Sequence, residues 1–336
     1  MKPTDFAKHL TSFFGEYLPG TRNLSGNTIM AYRDSFRLLL IFCRDYRNIP
    51  IEKLTIKMLD DKTVLKFLDW LQNERQCSIA TRNQRLAAIH AFFRYIQAQT
   101  PEYLVNCQKI LQIPFKKHQK PIITHLTPEQ TKILLASPDA ETKSGRRDMT
   151  LLSVLYDTGA RVQELCDLRI RDFRLEHPAA ITLTGKGRKT RTVPLMANTT
   201  MLLRSYLTEN HLSQNGKLDE PLFCNQRKQK LTRGGVSHIL QKYSAVLSLQ
   251  YSDIPKMLTP HVMRHSKAMH LYQSGVNLVY IRDILGHVDI STTDTYARAD
   301  IESKRKALEN AYPDITPNDL PEWNRDANLL EFLNNL

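Results

Sequence analysis

The feature that most restricts how this chain can fold is an interruption. Between about Ile113 and His125 the hydrophobic periodicity of the preceding region fails, and Pro114, Pro121 and the basic run Lys116, Lys117 and Lys120 come together. Proline lacks a donor and pushes the residue before it out of the helical region, so the stretch 113–125 reads as a linker between two folded parts. At 336 residues the chain is long for one ordinary core, and 41% hydrophobic residues are enough to bury two. Disorder of the whole chain is thereby excluded.

The part before the interruption, 1–112, is expected to be helical. Ile29, Tyr32, Phe36, Leu39, Leu40 and Cys43 recur at three- and four-residue spacing behind an Asn or Ser cap. Val64, Leu65, Phe67, Leu68 and Leu71 mark a second helix over about 62–73, and Leu86, Ile89, Phe93 and Ile96 a third over about 78–99. Arg82 and Arg85 lie off that third stripe, where they read either as a solvated face or as phosphate contacts. The part after the interruption opens at Thr127-Pro128-Glu129-Gln130, a threonine cap with proline at the first helical position and a glutamine placed to close a capping box. Helices follow to Asp157. Then the period changes to that of strands, with Ala180–Thr184 and 191–195 flanking the turn Gly185-Lys186-Gly187-Arg188-Lys189, and Pro194 marks an edge strand. Helical patterns resume at about 198–209, 232–247, 259 onward, 278–285 and 291 onward. The fold class expected is mainly α with a small β-sheet.

Charge narrows the partners. The chain carries 47 Lys+Arg against 34 Asp+Glu, a net +13, and a large positive excess on a soluble protein points first to nucleic acid. The excess is uneven. Over 312–336 five acids (Asp314, Asp319, Glu322, Asp326, Glu331) face the single base Arg325, which leaves −4 there and +17 on the rest. This tail also carries Trp323, Leu329, Leu330, Phe332 and Leu333, suited to a protein surface rather than to DNA. The longest apolar stretch, around Phe36 to Cys43, falls far short of the roughly 20 residues that span a bilayer, and the first residues hold Asp5 and no signal core. Cys43, Cys77, Cys107, Cys166 and Cys224 are scattered and form no CxxC pair, so neither a disulfide framework nor a zinc ribbon is indicated. A soluble, unexported, cytoplasmic protein is expected.

Polar groups that could do chemistry fall in the second part. In Thr259-Pro260-His261-Val262-Met263-Arg264-His265, His261 and Arg264 lie one turn apart near a helix start, an arrangement suited to phosphate. His261 and His265 also have a metal-ligand spacing, but Val262 stands where a zinc hydrolase needs glutamate, and no metal is assigned. Gly185-Lys186-Gly187 lacks the spacing of a phosphate-binding P-loop and is followed by a strand, so Lys186 alone reads as a solvent-exposed hairpin tip. Arg161, at a helix start after Gly159, reads as an anion contact or as a surface salt bridge to Glu164. Leu285-Gly286-His287 reads as a capped helix end, and Tyr296 lies in the second turn of the next helix.

Together the groups change meaning. Arg161, Lys186, His261, Arg264, His287 and Tyr296 follow an order and spacing that closely resemble the tyrosine recombinase (phage integrase) family, through TGARVQEL, TGKGRKTRTVPL and LTPHVMRHSKAMHLYQSGVNLVYIRDILGHVDISTTDTYAR. The first part is similar only in style, through TIMAYRDSF and SIATRNQRLAAIHAFFRY. Ala160 and Met263 stand where leucine is common, and Lys267 where an apolar residue is; none removes a catalytic group.

The resemblance implies a two-domain clamp on double-stranded DNA. Its parts would be a helical core-binding domain at 1–112, a basic linker at 113–125, a catalytic domain at 126–311 and an acidic tail at 312–336 that docks on its own or a neighbouring protomer. The activity implied is site-specific recombination or integration, by chromosomal Xer-like or transposon-encoded systems, with strands cut and rejoined through a 3′-phosphotyrosyl link and no metal, ATP or other cofactor. Tyr296 would be the nucleophile and Arg161 and Arg264 the phosphate clamp. Lys186 would protonate the leaving oxygen, His261 would exchange a proton with the tyrosine, and His287 would bond the phosphate. Arg82, Arg85, Lys116, Lys117 and Lys120 would contact DNA. The implied assembly is a homotetramer on two sites, with accessory proteins in some systems. Helices that begin almost at Met1 leave no room for a further arm-binding domain. The alternatives are relaxation of the type IB topoisomerase kind, and a catalytically silent DNA-binding regulator, the latter disfavoured because no catalytic position is substituted.

Overall fold

The structure is a computed structural model that describes residues 2–117, 124–185, 187, 189–212, 216–252, 254–255, 257–287, 293, 296 and 331. The chain divides into two compact units, Met1–Pro121 and Ile122–Leu336, the division falling inside the stretch expected as a linker.

The first unit is helical: α1 (Asp5–Ser12), a π-helical segment (Phe13–Thr21), α2 (Gly26–Arg47), α3 (Asp61–Asn73), α4 (Ile79–Gln99) and α5 (Leu104–Leu111). Short polar caps start the long helices: Ser25 accepts from the Thr28 N–H, Asp60 from Thr63 and Ser78 from Thr81. Asn48, with φ of 51°, ends α2 in the left-handed conformation that asparagine tolerates. Phe13, Phe36 and Phe92 meet edge to face at the centre, with Phe92 5.1 Å from Phe36 and 5.2 Å from Phe13.

Helix α4 buries much more than the stripe its periodicity marks. Arg82, Ala88, His90, Phe92 and Tyr95 are buried as well. This corrects the reading of Arg82 and Arg85 as DNA contacts. Arg82 is 3% exposed and donates to the Pro114 carbonyl at 3.2 Å and to Asn83 Oδ1 at 3.1 Å. Arg85, half-buried, donates to the Ala31 carbonyl and to Ser35 Oγ, at 3.0 and 3.1 Å. Through Nη1 the two guanidiniums brace α4 against α2 and against the chain leaving α5, while the Nε of each is buried without a hydrogen-bond partner. Asn83 continues the brace by exchanging two hydrogen bonds with the Lys116 backbone. The Lys116 ammonium donates to Gln72 Oε1, Lys117 is exposed, and Lys120 lies outside the described residues.

The second unit begins with α6 (Pro128–Ala136), whose capping box is formed as expected by Thr127 and Gln130. It continues with α7 (Lys143–Thr158), α8 (Val162–Asp167), a three-stranded antiparallel sheet β1 (Phe173–Arg174), β2 (Ala180–Thr184) and β3 (Thr190–Pro194), then α9 (Ala197–Glu209), α10 (Arg233–Gln250), α11 (Pro260–Gln273) and α12 (Leu278–Leu285). The sheet order is β1-β2-β3, so Pro194 sits on an edge strand where its missing donor breaks no ladder. Ile181 and Val193 pair across the sheet and are buried in the main core, where Leu151, Leu152, Val154 and Leu155 of α7 also lie. A smaller cluster, Ala268, Met269, Ile281, Leu285 and Tyr296, joins α11, α12 and Tyr296. The expected helix from 291 is described only at Thr293 and Tyr296, both helical, and of the tail only Glu331 is described.

Candidate active site

The site forms where two glycine turns converge on α11. Helix α7 ends at Gly159, whose φ of +57° requires glycine, and a Cβ there would meet Leu285 Cδ2 at 2.7 Å, so the chain passes directly against the end of α12. That turn delivers Arg161 to the start of α8. Helix α12 in turn ends at Gly286, with φ of +66° and room for no Cβ beside Arg191, and hands the chain to His287. Thr259 caps α11 and Pro260 occupies its first turn, which sets Arg264 one turn in and pointing inward.

Arg264 is the hinge of this arrangement. It is 3% exposed, and its fork donates to the Gly159 carbonyl and to the Leu285 carbonyl, each at 2.6 Å, so one side chain joins both glycine turns. Burial, with Arg161 and Arg191 nearby, brings its pKa down to about 10, still charged at neutral pH. Arg161 donates through Nη1 to Glu164 Oε1 at 2.8 Å and through Nη2 to the Gly286 carbonyl at 3.0 Å, with its side chain 36% exposed.

The expected Arg161–Glu164 pair exists, but not at the surface. The Glu164 side chain is 3% exposed and accepts four hydrogen bonds: from the Arg161 N–H and Nη1, both at 2.8 Å, and from Arg191 Nη1 and Nη2 at 3.0 and 2.7 Å. Burial alone would raise its pKa; the bonds from Arg191 and Arg161 override that and hold it at about 2. Arg191 uses its remaining edge, Nε, on the Ile284 carbonyl at 2.8 Å. Glu164 thus fixes the spacing of two guanidiniums, and Arg191 ties β3 to the end of α12. Arg191 was legible in principle, since it shares the inward face of β3 with Val193, two residues on.

Tyr296 is 2% exposed and lies between two histidine rings, 5.7 Å from His265 and 6.4 Å from His287, the latter nearly parallel at 15°. Its hydroxyl is 2.9 Å from His265 Nδ1. Burial raises the tyrosine pKa and Arg264 opposes that rise. His287 places Nδ1 2.8 Å from Thr293 Oγ1, and burial, with Arg264 and Arg161, lowers its pKa to about 4, so it is neutral at pH 7. His261, by contrast, is exposed at the first turn of α11, with its ring 6.3 Å from that of His265. The histidine contact expected of His261 with the tyrosine is made by His265, because His261 sits one helical turn farther out on the same face. On spacing alone His265 reads only as half of a metal-ligand pair with His261. Among the described residues no cluster of three or more His, Cys, Asp or Glu could hold a metal ion.

A cavity of about 560 Å³ opens beside these groups, lined by Arg161, Gly185, Lys189, Arg191, Gly286 and His287 among others. Its cationic lining fits an anion. Lys186, at the hairpin tip between Gly185 and Gly187, lies outside the described residues. Arg161, Arg264, His287 and Tyr296 are therefore brought together, with Glu164, Arg191, His265 and Thr293 supporting them.

Residues 124–303 match the phage integrase family, and residues 12–100 match the phage integrase N-terminal SAM-like domain. The chain is 36% identical over its whole length, and over 99% of the relative's, to y4rC of Sinorhizobium fredii (strain NBRC 101917 / NGR234), which is named as an integrase/recombinase. It is 35% identical over 294 residues to tyrosine recombinase XerC of Roseiflexus castenholzii (strain DSM 13941 / HLO8), covering 86% of this chain and 88% of that one. Among solved structures it is similar to the XerH site-specific recombinase bound to a palindromic difH substrate after cleavage, with a TM-score of 0.66, 26% identity, and coverage of 86% of this chain and 81% of that one.

Proposed function

This chain belongs to the phage integrase family, and from that premise we propose how its own residues cut and rejoin DNA. The protein is a site-specific DNA recombinase of the tyrosine type, and its substrate is DNA. Tyr296 is the nucleophile. Its oxygen attacks the scissile phosphorus, the bond to the 5′-oxygen breaks, and a 3′-phosphotyrosyl link stores the bond for rejoining. A tyrosine with an ordinary pKa near 10 is a weak nucleophile, so the surroundings must supply the activation.

Arg161 and Arg264 hold the non-bridging oxygens and balance the charge that grows on them in the transition state, the role a metal plays in other phosphoryl-transfer sites. No metal is needed for that step when two guanidiniums are already in place. His287, with Nδ1 turned to the Thr293 hydroxyl, has Nε2 left to donate to the phosphate. Lys186 protonates the departing 5′-oxygen. The first unit and the basic stretch after it, with Lys116, Lys117 and Lys120, supply phosphate contacts that position the duplex. The active form is a homotetramer on two DNA sites in the cytoplasm, assembled with accessory proteins where the target demands them, and the acidic 312–336 tail serves protein contact.

The observation that carries this reading is the burial of Tyr296 against His265, which meets its hydroxyl, and the His287 ring, within the electrostatic reach of Arg264 and beside a cationic cavity. The test is strand transfer between two duplexes carrying the recombination site, in EDTA. The wild-type chain should join strands from different duplexes, and Tyr296→Phe should bind the same DNA without joining it. Relaxation of supercoils without exchange, or a strict metal requirement, would overturn the reading.

A further inference from the structure

The reaction requires that the Tyr296 hydroxyl lose its proton as its oxygen attacks, and the group that touches that hydroxyl is His265. The hydroxyl is 2.9 Å from Nδ1. This is within the reach required of a general base. We propose that His265 is a further catalytic residue, the acceptor of the nucleophile's proton, an assignment that rests on Tyr296 being the nucleophile.

The geometry favours this histidine over the other two. His287 faces the tyrosine ring plane to plane and turns Nδ1 to Thr293 Oγ1, so its described bond leads away from the hydroxyl. His261 is exposed and meets His265, not the tyrosine. His265 is half-buried and must be neutral to accept a proton. Its surroundings keep it so: burial, His261, Arg264 and His125 all lower its pKa. The groups facing it are cationic or neutral ones: His261 and Arg264 from α11, His125 from the segment before α6, His287 from the turn after α12, and Tyr296 itself.

The step balances. In cleavage the Tyr296 O–H bond breaks, the proton passes to His265 Nδ1, the oxygen–phosphorus bond forms, and the 5′-oxygen leaves with a proton from Lys186. In rejoining the 5′-hydroxyl attacks, its proton returns to Lys186, and the phenolate leaves with the proton His265 has kept. His265 and Lys186 thus act at opposite ends of one in-line displacement.

The test is single-turnover trapping on a nicked suicide duplex, using full-length protein. His265→Asn retains an acceptor near the Nδ1 position but cannot take a proton, and His265→Gln serves as a second variant should Asn fold poorly. The expected result is a loss of about 10²–10³-fold in trapping rate at pH 7, with unchanged DNA affinity. The wild-type rate should level off above the imidazole pKa, whereas the variant rate should climb about tenfold per pH unit through the alkaline range. A substrate whose 5′-bridging oxygen is replaced by sulfur needs no proton on its leaving group, so it should rescue Lys186→Ala and leave His265→Asn slow. A His265→Asn protein that traps within threefold of wild type, keeps the wild-type pH profile, or is rescued by the sulfur substrate overturns the assignment. Failure of the wild-type chain to trap at all would instead strike at Tyr296 as nucleophile.

Discussion

Glu164→Gln is the substitution whose effect the structure sets most tightly. The carboxylate is 3% exposed and accepts four hydrogen bonds from Arg161 and Arg191, with the buried Arg264 beside them. Glutamine keeps the shape, removes the charge, and turns two of its own donors toward guanidinium N–H groups. Breaking a buried ion pair by removing one partner costs about 3–5 kcal/mol, because the other charge is left uncompensated. The linkage argument gives a similar figure: a carboxyl held at about 2 rather than 4.5 contributes about 3 kcal/mol. The sign follows from the lowered pKa. The contribution is fully present above pH 4.5 and is lost as pH falls toward 2. For a unit of this size each kcal/mol moves the midpoint by about 2–4 °C, so the second unit should melt roughly 6–20 °C lower. Calorimetry on the full chain, read at the transition of Ile122–Leu336, measures it. Trapping should fall too, since Arg161 loses the group that holds it. A variant that melts within a degree of wild type and traps at the wild-type rate would refute the claim that Glu164 organises the arginines.

Three further outcomes are expected. Arg264→Lys cannot fork between the Gly159 and Leu285 carbonyls, so single-turnover cleavage should fall about 10²–10³-fold with noncovalent DNA affinity changed far less. Arg82→Gln should lower the stability of the first unit by about 1–3 kcal/mol in urea unfolding. It should leave the slope of log affinity against log salt unchanged, where loss of a phosphate contact would reduce that slope by about 1. The histidines held neutral by burial, His90, His265, His270 and His287, take up protons more readily unfolded than folded. Stability should therefore fall with pH below the unfolded value of about 6.5, for His287 down to about 4, read as a lower melting midpoint at pH 5 than at pH 7.5.

Much of this architecture is written locally. Helices α2, α3 and α6 each carry a cap and a repeating apolar stripe, and the β2–β3 hairpin a glycine turn between alternating runs. Helices α1 and α5 have eight residues each, too few for periodicity to decide, and α1 is fixed from afar: Asp5 accepts from the Ile56 N–H at 3.2 Å and the Tyr103 hydroxyl at 2.8 Å. The misreading of Arg82 and Arg85 has the same origin. A single stripe shows which face of α4 is most apolar, not how wide an arc its neighbours cover, and α2 and the chain after α5 cover the flanks. At the candidate site, Arg161, Arg264, His287 and Tyr296, which the structure brings together, could be singled out by type and order, whereas His261 stays exposed. The burial of Glu164 and the meeting of His265 with Tyr296 could not, because they arise only when α8, β3, α11 and the turn after α12 close on one another.

The most direct test of the central claim is the identity of the covalent link. Wild-type protein trapped on a nicked duplex in EDTA is digested with protease and nuclease, and the nucleotide-bearing peptide is sequenced by mass spectrometry. The account predicts one nucleotide joined through its 3′-phosphate to Tyr296. A link to any other side chain, or through a 5′-phosphate, would contradict it.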